Sequence, residues 1–287
     1  SYFLYKEVPA SVKAFDPENR LIFATGPFMG NAQTGAAKWM VISKSPAMEL
    51  NAITAITAFF GFELKAAGYD ALIMQGKAAK PVYILINDDE VEVRDASHLW
   101  GKDAYETDDI LTEELGKEFE VACIGQAGER LVRFACICTH KHSFAGRGGL
   151  GAVMGAKNLK AVAVHGTKKV EYADLDRLRE INKAVAAKLI ENDLAREPEK
   201  NIKTHGTAMA TRLFAGHGNL PIKNWQLGWF ESGINSMKTP DFTQTLNARS
   251  WPCKFCVMGC HRDIEIKEGP YRMKGAGPEY ENFAMMG

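Results

Sequence analysis

Three cysteines fall within eight residues, in the run Trp251-Pro252-Cys253-Lys254-Phe255-Cys256-Val257-Met258-Gly259-Cys260. Thiolates are soft ligands, and the Cys-x2-Cys-x3-Cys spacing lets one tight loop offer Cys253, Cys256 and Cys260 to a single centre. Pro252 fixes the approach of the chain and Gly259 lets the backbone fold closely around the site. Two chemistries fit. An iron-sulfur cube takes four cysteines, so it requires a fourth thiol, expected beyond Gly287. Zinc could close its tetrahedron with His261, although adjacent ligands on one stretch of backbone are geometrically awkward. Cys123, Cys136 and Cys138 lie in apolar, strand-like runs and read as small buried hydrophobes.

The second informative stretch runs Ala145-Gly146-Arg147-Gly148-Gly149-Leu150-Gly151-Ala152-Val153-Met154. Four glycines around one arginine make a loop whose N–H groups can approach an anion, and a helix starting at Ala152 to Met154 would point its positive end at the same place. A plain glycine-rich turn is the competing reading. No Gly-Lys-Ser/Thr follows, so the stretch is not a P-loop, and it is not placed as a dinucleotide fingerprint. Cys138, His140 and His142 alternate in a way that would share one strand face, which allows a metal trio but fits packing better. His98 and His165 read as ordinary strand or turn residues. Trp225, Trp229 and Phe230 read as core or lid packing.

Strands and helices must position these groups. Strands are expected at Leu21–Thr25, Trp39–Ser43, Val82–Ile86, Val91–Val93, Phe119–Gly125, Leu131–Cys138 and Leu159–Val164, with Asn87-Asp88-Asp89 as a hairpin turn. Helices are expected over Ala52–Ala67 and Ala104–Leu115. Strand pairs with inserted helices argue for an α+β fold. After Gly166 the texture changes: Leu175, Leu178, Ile181, Val185 and Leu189 recur at helical spacing, and Gly206–Phe214 reads as another helix. The expected division is a β-rich α+β domain over 1–170 and a mainly helical, incomplete domain over 171–287. The chain opens without an initiator Met, a basic leader or a small-residue cleavage site, so no secretory signal is read. A segment of a longer protein is the expectation from both ends.

The 287 residues carry 35 basic and 35 acidic side chains, a formal charge of zero, with no basic patch to hold nucleic acid or an acidic membrane. The longest apolar stretch, Ile53 to Phe62, is interrupted by threonines and falls short of the ~20 residues that span a bilayer.

Ala145-Gly146-Arg147-Gly148-Gly149 through Asn158-Leu159-Lys160-Ala161-Val162, the cysteine run, and Gly277-Pro278-Glu279-Tyr280-Glu281 together resemble the tungsten-containing aldehyde:ferredoxin oxidoreductase family. Glu18-Asn19-Arg20, Lys44-Ser45-Pro46, Ala67-Gly68-Tyr69-Asp70-Ala71, Gly206-Thr207-Ala208 and Lys223-Asn224 agree in order. The resemblance implies a first domain that forms the base for a tungsten atom held by two pterins, with helical domains closing over it. It implies a tungstopterin, a magnesium ion linking the pterins, and a 4Fe-4S cluster on Cys253, Cys256 and Cys260.

Carried over by position, the family's pterin-phosphate arginine falls on Lys38, which keeps the charge but loses the bidentate fork. The asparagine whose carbonyl helps bind magnesium falls on Ala55, and a nearby glycine falls on Thr57. In the second loop the matching positions are Ser143, Phe144 and Gly146, followed by Arg147, Gly148 and Gly149. Ser143 replaces an arginine and Phe144 an alanine, which implies a subfamily with its own specificity. Glu281 matches a glutamate near the metal, a general base or a group orienting water.

The implied activity is oxidation of an aldehyde to a carboxylate, with electrons leaving through the cluster to ferredoxin in an anaerobic cytoplasm. The resemblance involves no nucleic acid or membrane, and a homodimer is compatible with it. The alternatives are a paralogue reducing an aromatic thioester or carboxylic acid, and a cofactor-free, zinc-binding scaffold module.

Overall fold

The computed structural model describes residues 1–30, 33–236 and 243–286. The chain divides into two compact units, Ser1–Ala173 and Asp174–Gly287.

In the first unit a short helix α1 (Tyr2–Glu7) precedes strands β1 (Leu21–Ala24), β2 (Trp39–Lys44) and β3 (Asn51–Ile56), helix α2 (Phe60–Ala66) and strand β4 (Ala71–Met74). These strands form an antiparallel sheet in the order β3-β2-β1-β4. Its core is aromatic: Phe23, Trp39 and Phe60 are fully buried, with ring centroids 4.6 to 5.8 Å apart. Such tilted and edge-on contacts suit the ring quadrupoles.

The second sheet combines β5 (Val82–Asn87), β6 (Glu90–Asp95), β7 (Glu120–Cys123), β8 (Ile137–Thr139), β9 (Ser143–Ala145) and β10 (Leu159–His165) in the order β6-β5-β10-β7-β8-β9. Only β5 and β10 run parallel. Helix α3 (Ala104–Leu115) covers one face, its Leu111 packing with Leu99, Val121, Cys123 and Ala161. It starts where the chain asks it to, at a capping box in which Asp103 accepts from Tyr105 and Glu106 while Glu106 bonds back. The turn α4 (Gln126–Glu129) and helix α5 (Leu150–Ala156) pack together. Every residue of α5 is buried.

Two expectations here are corrected. The helix expected over 52–67 is strand β3 followed by α2. Ala52, Thr54 and Ile56 are buried while Asn51, Ile53 and Ala55 face outward, a period of two set by β-branched residues on a half-buried surface. The chain then breaks at Ala58, with φ +76°. The strand expected over 131–138 is confined to β8. Residues 126–129 take the helical turn α4, and Leu131 sits at φ +57°, so only the last part of the apolar run reaches its ladder with β7.

The second unit carries α6 (Leu175–Leu194), α7 (Ile202–His205), α8 (Ala210–Gly216), α9 (Glu231–Ser236) and a last helix, Tyr280–Met286. Gly206–Met209 is a 3-10 turn rather than the start of the helix expected over 206–214. Ala215, Leu220, Ile222, Ile234 and Ala284 form a small core with Phe230 against it. Trp225 and Trp229, expected in packing, are 62% and 50% exposed. The unit also holds an unforeseen antiparallel sheet of β11 (Arg249–Trp251), β12 (His261–Ile266) and β13 (Met273–Ala276). The cysteine loop is the connection from β11 to β12.

No described helix is long and apolar enough to cross a membrane.

Candidate cofactor sites

The first site is built where two sheet edges meet. β3 is the edge of the first sheet, β9 is the edge of the second, and the two strands contact each other. Just past β3, the Thr57 hydroxyl lies 3.1 Å from the Ser143 hydroxyl at the start of β9. Residues 86 positions apart are thereby joined. Farther along, Ser45 donates to the Gly148 carbonyl at 2.7 Å. Gly149, at φ +67°, lies so close to Arg133 that an added Cβ would sit 1.8 Å from that residue's carbonyl oxygen. Only glycine takes this close, left-handed position without displacing the chain.

Between these anchors the loop presents Phe144, Gly146 and Arg147 to solvent, while Ser143, Ala145 and Gly149 are buried. A Cβ built on Gly146 would meet nothing within 4 Å. Ala55 and Ile53 face outward on β3. Lys38 is exposed immediately before β2, and the pairing of Trp39 with Ile56 puts it level with Thr57. The arrangement offers open backbone, three exposed apolar side chains and the Lys38 and Arg147 cations, which suits a planar, anionic cofactor. The helix after the loop starts at Leu150, two residues earlier than expected, and the Gly151 N–H is committed to the Ala135 carbonyl. The helix end therefore adds little to anion binding.

The second site is the cysteine loop. Cys253, Cys256 and Cys260 are all half-buried, and none of the six cysteines forms a disulfide. The Cys256 N–H closes a turn on the Cys253 carbonyl at 2.9 Å, and Ser250 donates to the Gly259 carbonyl at 2.8 Å. Gly206, at φ +65°, lets the 3-10 turn approach the Cys260 carbonyl. Burial, then Glu279 and the other two thiols, push the Cys260 thiol up. Among the described residues no three His, Cys, Asp or Glu side chains converge on a point for one ion. The three thiols are soft donors carried on one tight loop, a set that iron-sulfur and zinc chemistry both take.

Sequence reasoning named His261 only as a possible zinc ligand and missed the bonds that tie it to the groups behind this loop. His261 hydrogen-bonds Cys253, and its Nδ1 lies 3.1 Å from Glu279 Oε1. The bond to Cys253 and then that to Glu279 hold its pKa well above the ordinary histidine value. The Thr207 hydroxyl donates to the other Glu279 oxygen. Burial works to raise the Glu279 carboxyl, but the bonds from His261 and Thr207 outweigh it and hold the pKa below the usual value. Arg262 is buried and donates to the carbonyls of Ile202, Lys203 and His261. The motifs Gly206-Thr207-Ala208 and Pro278-Glu279 were the available signal. Glu281, two residues on, is exposed in the first turn of Tyr280–Met286.

Cys138, His140 and His142 do not share a strand face, because His140 and Lys141 take φ +51° and +54° in the turn between β8 and β9. His140 pairs with Glu120 at 3.5 Å, a bond that raises its pKa. Cys123 and Cys138 are buried opposite each other in the β7–β8 ladder. Burial pushes the Cys138 thiol up to about 12, as it raises Cys123, so both behave as packing residues.

Comparison with known proteins places both units. The N-terminal domain model of aldehyde ferredoxin oxidoreductases matches residues 1–166, and the model of that family's domains 2 and 3 matches residues 180–287. A tungsten-containing aldehyde ferredoxin oxidoreductase of Pyrococcus horikoshii is 42% identical over the whole chain, which covers 46% of that relative. The WOR-like subunit of an aliphatic sulfonate oxidoreductase from Pyrococcus furiosus is 34% identical, and the chain covers 47% of it. Among solved structures, the active-site complex BamBC of benzoyl coenzyme A reductase, in complex with 1,5-dienoyl-CoA, matches at a TM-score of 0.78 and 35% identity. That match covers 95% of this chain and 43% of the other. The chain thus spans under half the length of the proteins it matches.

Proposed function

Because the chain belongs to the aldehyde ferredoxin oxidoreductase family, we propose that the protein containing it is a tungsten-pterin, iron-sulfur oxidoreductase that oxidises an aldehyde to a carboxylate and delivers the electrons to ferredoxin. The observation that carries this reading is the junction of β3 and β9. It brings Ala55 and Thr57 beside the loop of Ser143, Phe144, Gly146, Arg147, Gly148 and Gly149.

When bound, the tungstopterin supplies the two-electron chemistry, and the protein supplies position and electrostatics. In this reading the main chain at Ala55 and the Ser143–Gly149 loop holds the two pterins. The Ala55 carbonyl would help hold the magnesium. Backbone contacts survive side-chain replacement, so Ala55 and Phe144 serve where other residues stand in the family. Lys38 contributes one point charge to a phosphate, with less directional hold than an arginine fork. Cys253, Cys256 and Cys260 would hold a 4Fe-4S cluster, with the fourth thiolate expected beyond Gly287. Glu281 would serve as a general base or orient water.

A second reading, reduction of an aromatic thioester, is favoured by the likeness to the benzoyl coenzyme A reductase complex. Anaerobically purified full-length protein should contain tungsten and about four irons per chain; a preparation holding only zinc would sink the proposal. Gly146→Val should leave the thermal stability of tungsten-free protein nearly unchanged, because the added Cβ meets nothing within 4 Å, yet should lower tungsten per chain. Reduction of the iron-sulfur absorbance by aldehydes supports the first reading. Its absence, together with oxidation of reduced protein by an aromatic thioester, supports the second.

A further inference from the structure

The loop that bears Phe144, Gly146 and Arg147 is fastened to the first sheet at both ends by side-chain hydroxyls. At one end Thr57 meets Ser143 at 3.1 Å, with Ser143 buried. At the other, Ser45 donates to the Gly148 carbonyl at 2.7 Å. The Ser45 hydroxyl is fully buried, and its orientation is fixed by the Ala47 N–H, which donates to it at 3.1 Å. The turn around it is held by the Ser45 N–H on the Leu50 carbonyl and the Glu49 N–H on the Ser45 carbonyl. Ser45 therefore reaches the loop from a rigid corner between β2 and β3. Ala52, also on β3, lies against Gly148, where an added Cβ would come within 2.7 Å of the Ala52 Cβ. Between the clamps, the exposed residues are Phe144, Gly146 and Arg147.

We propose that Ser45 and Thr57 are positioning residues that set the spacing between the end of β3 and the Gly146 loop, and so pre-form the cradle for the pterin. The inference rests on the reading of this junction as the cofactor site. Neither hydroxyl needs to touch the cofactor. Each fixes main chain that does, and a site held to within a fraction of an ångström by such supporting bonds binds without first paying to order its loop.

The test is made on the full-length protein, produced under limiting tungstate. Ser45→Ala and Thr57→Val each remove one clamp and should lower tungsten per chain roughly fivefold, the equilibrium weight of one net hydrogen bond. The double variant should fall further still. Ser45→Thr and Thr57→Ser restore the hydroxyls and should restore loading. A general loss of folding would not be rescued so selectively. Hydrogen exchange in tungsten-free protein gives a second readout: amides of residues 144–149 should exchange faster in the clamp variants while those of β10 stay protected. Wild-type loading and unchanged exchange in both single variants would overturn the clamps and leave the proposed function standing. Wild-type protein that takes up no tungsten under any supply would overturn the function and the clamps together.

Discussion

Lys160 is a cation at the second position of β10, a strand buried at every residue but the last, with its side chain at 0% exposure and that of its partner Glu129 at 6%. Its ammonium lies 2.5 Å from Glu129 Oε1 and donates to the Lys102 carbonyl at 2.8 Å. The same carboxylate accepts from the Gly101 N–H. One ion pair thus ties β10, α4 and the loop before α3, and every polar atom in it is committed. Removing one partner strands a charge in the core, whereas removing both leaves only lost packing. Glu129→Ala should cost about 3–5 kcal/mol, and Glu129→Gln combined with Lys160→Met should cost less than the single change. Urea unfolding of the three proteins checks this; a double variant at least as damaged as Glu129→Ala would remove the pair from its supporting role.

At the scale of elements, the strand-to-helix joint after β9 decides whether the loop can form. Gly149 combines a positive φ with a carbonyl 1.8 Å from where a Cβ would stand. Gly149→Ala should therefore destabilise by more than about 2 kcal/mol, while the space around Gly146 makes Gly146→Ala nearly silent in a melting experiment. Equal melting temperatures for both would refute the argument. Periodicity made some elements legible: the Asn87-Asp88-Asp89 hairpin and the long helix beginning at Asp174 stand where the pattern puts them. It failed on β3, because Ile53, Thr54, Ala55 and Ile56 satisfy both a helical and an alternating template until burial selects one. The sheet β11-β12-β13 escaped notice because its strands are short and interrupted by the cysteine loop. At the candidate sites, the loop and the three thiols were legible as local motifs. Thr57–Ser143, Ser45–Gly148 and His261–Glu279 were not, since each joins residues far apart in sequence through hydroxyl, carbonyl or imidazole groups that carry no periodic signature.

At the scale of the whole molecule, α6 carries an apolar stripe that is largely exposed. Its twenty residues repeat Leu175, Leu178, Ile181, Val185 and Leu189 on one stripe, yet only Asp193 is buried, and Leu175, Ile181 and Val185 are 40 to 44% exposed. Helices of this kind owe most of their stability to packing of the apolar face, so a stripe left open over four turns is a surface waiting for a partner. The relatives extend over more than twice this length, and in a protein of that size the remaining sequence should cover the stripe. Val185→Asp in the full-length protein should then cost about 2–3 kcal/mol, the penalty of an unpaired buried charge. In a protein comprising residues 1–287 alone it should cost no more than about 0.5 kcal/mol, as for an exposed site. Denaturant midpoints of the two pairs decide the matter: equal effects in both lengths would mean that α6 stays open to solvent and that its apolar stripe has another use.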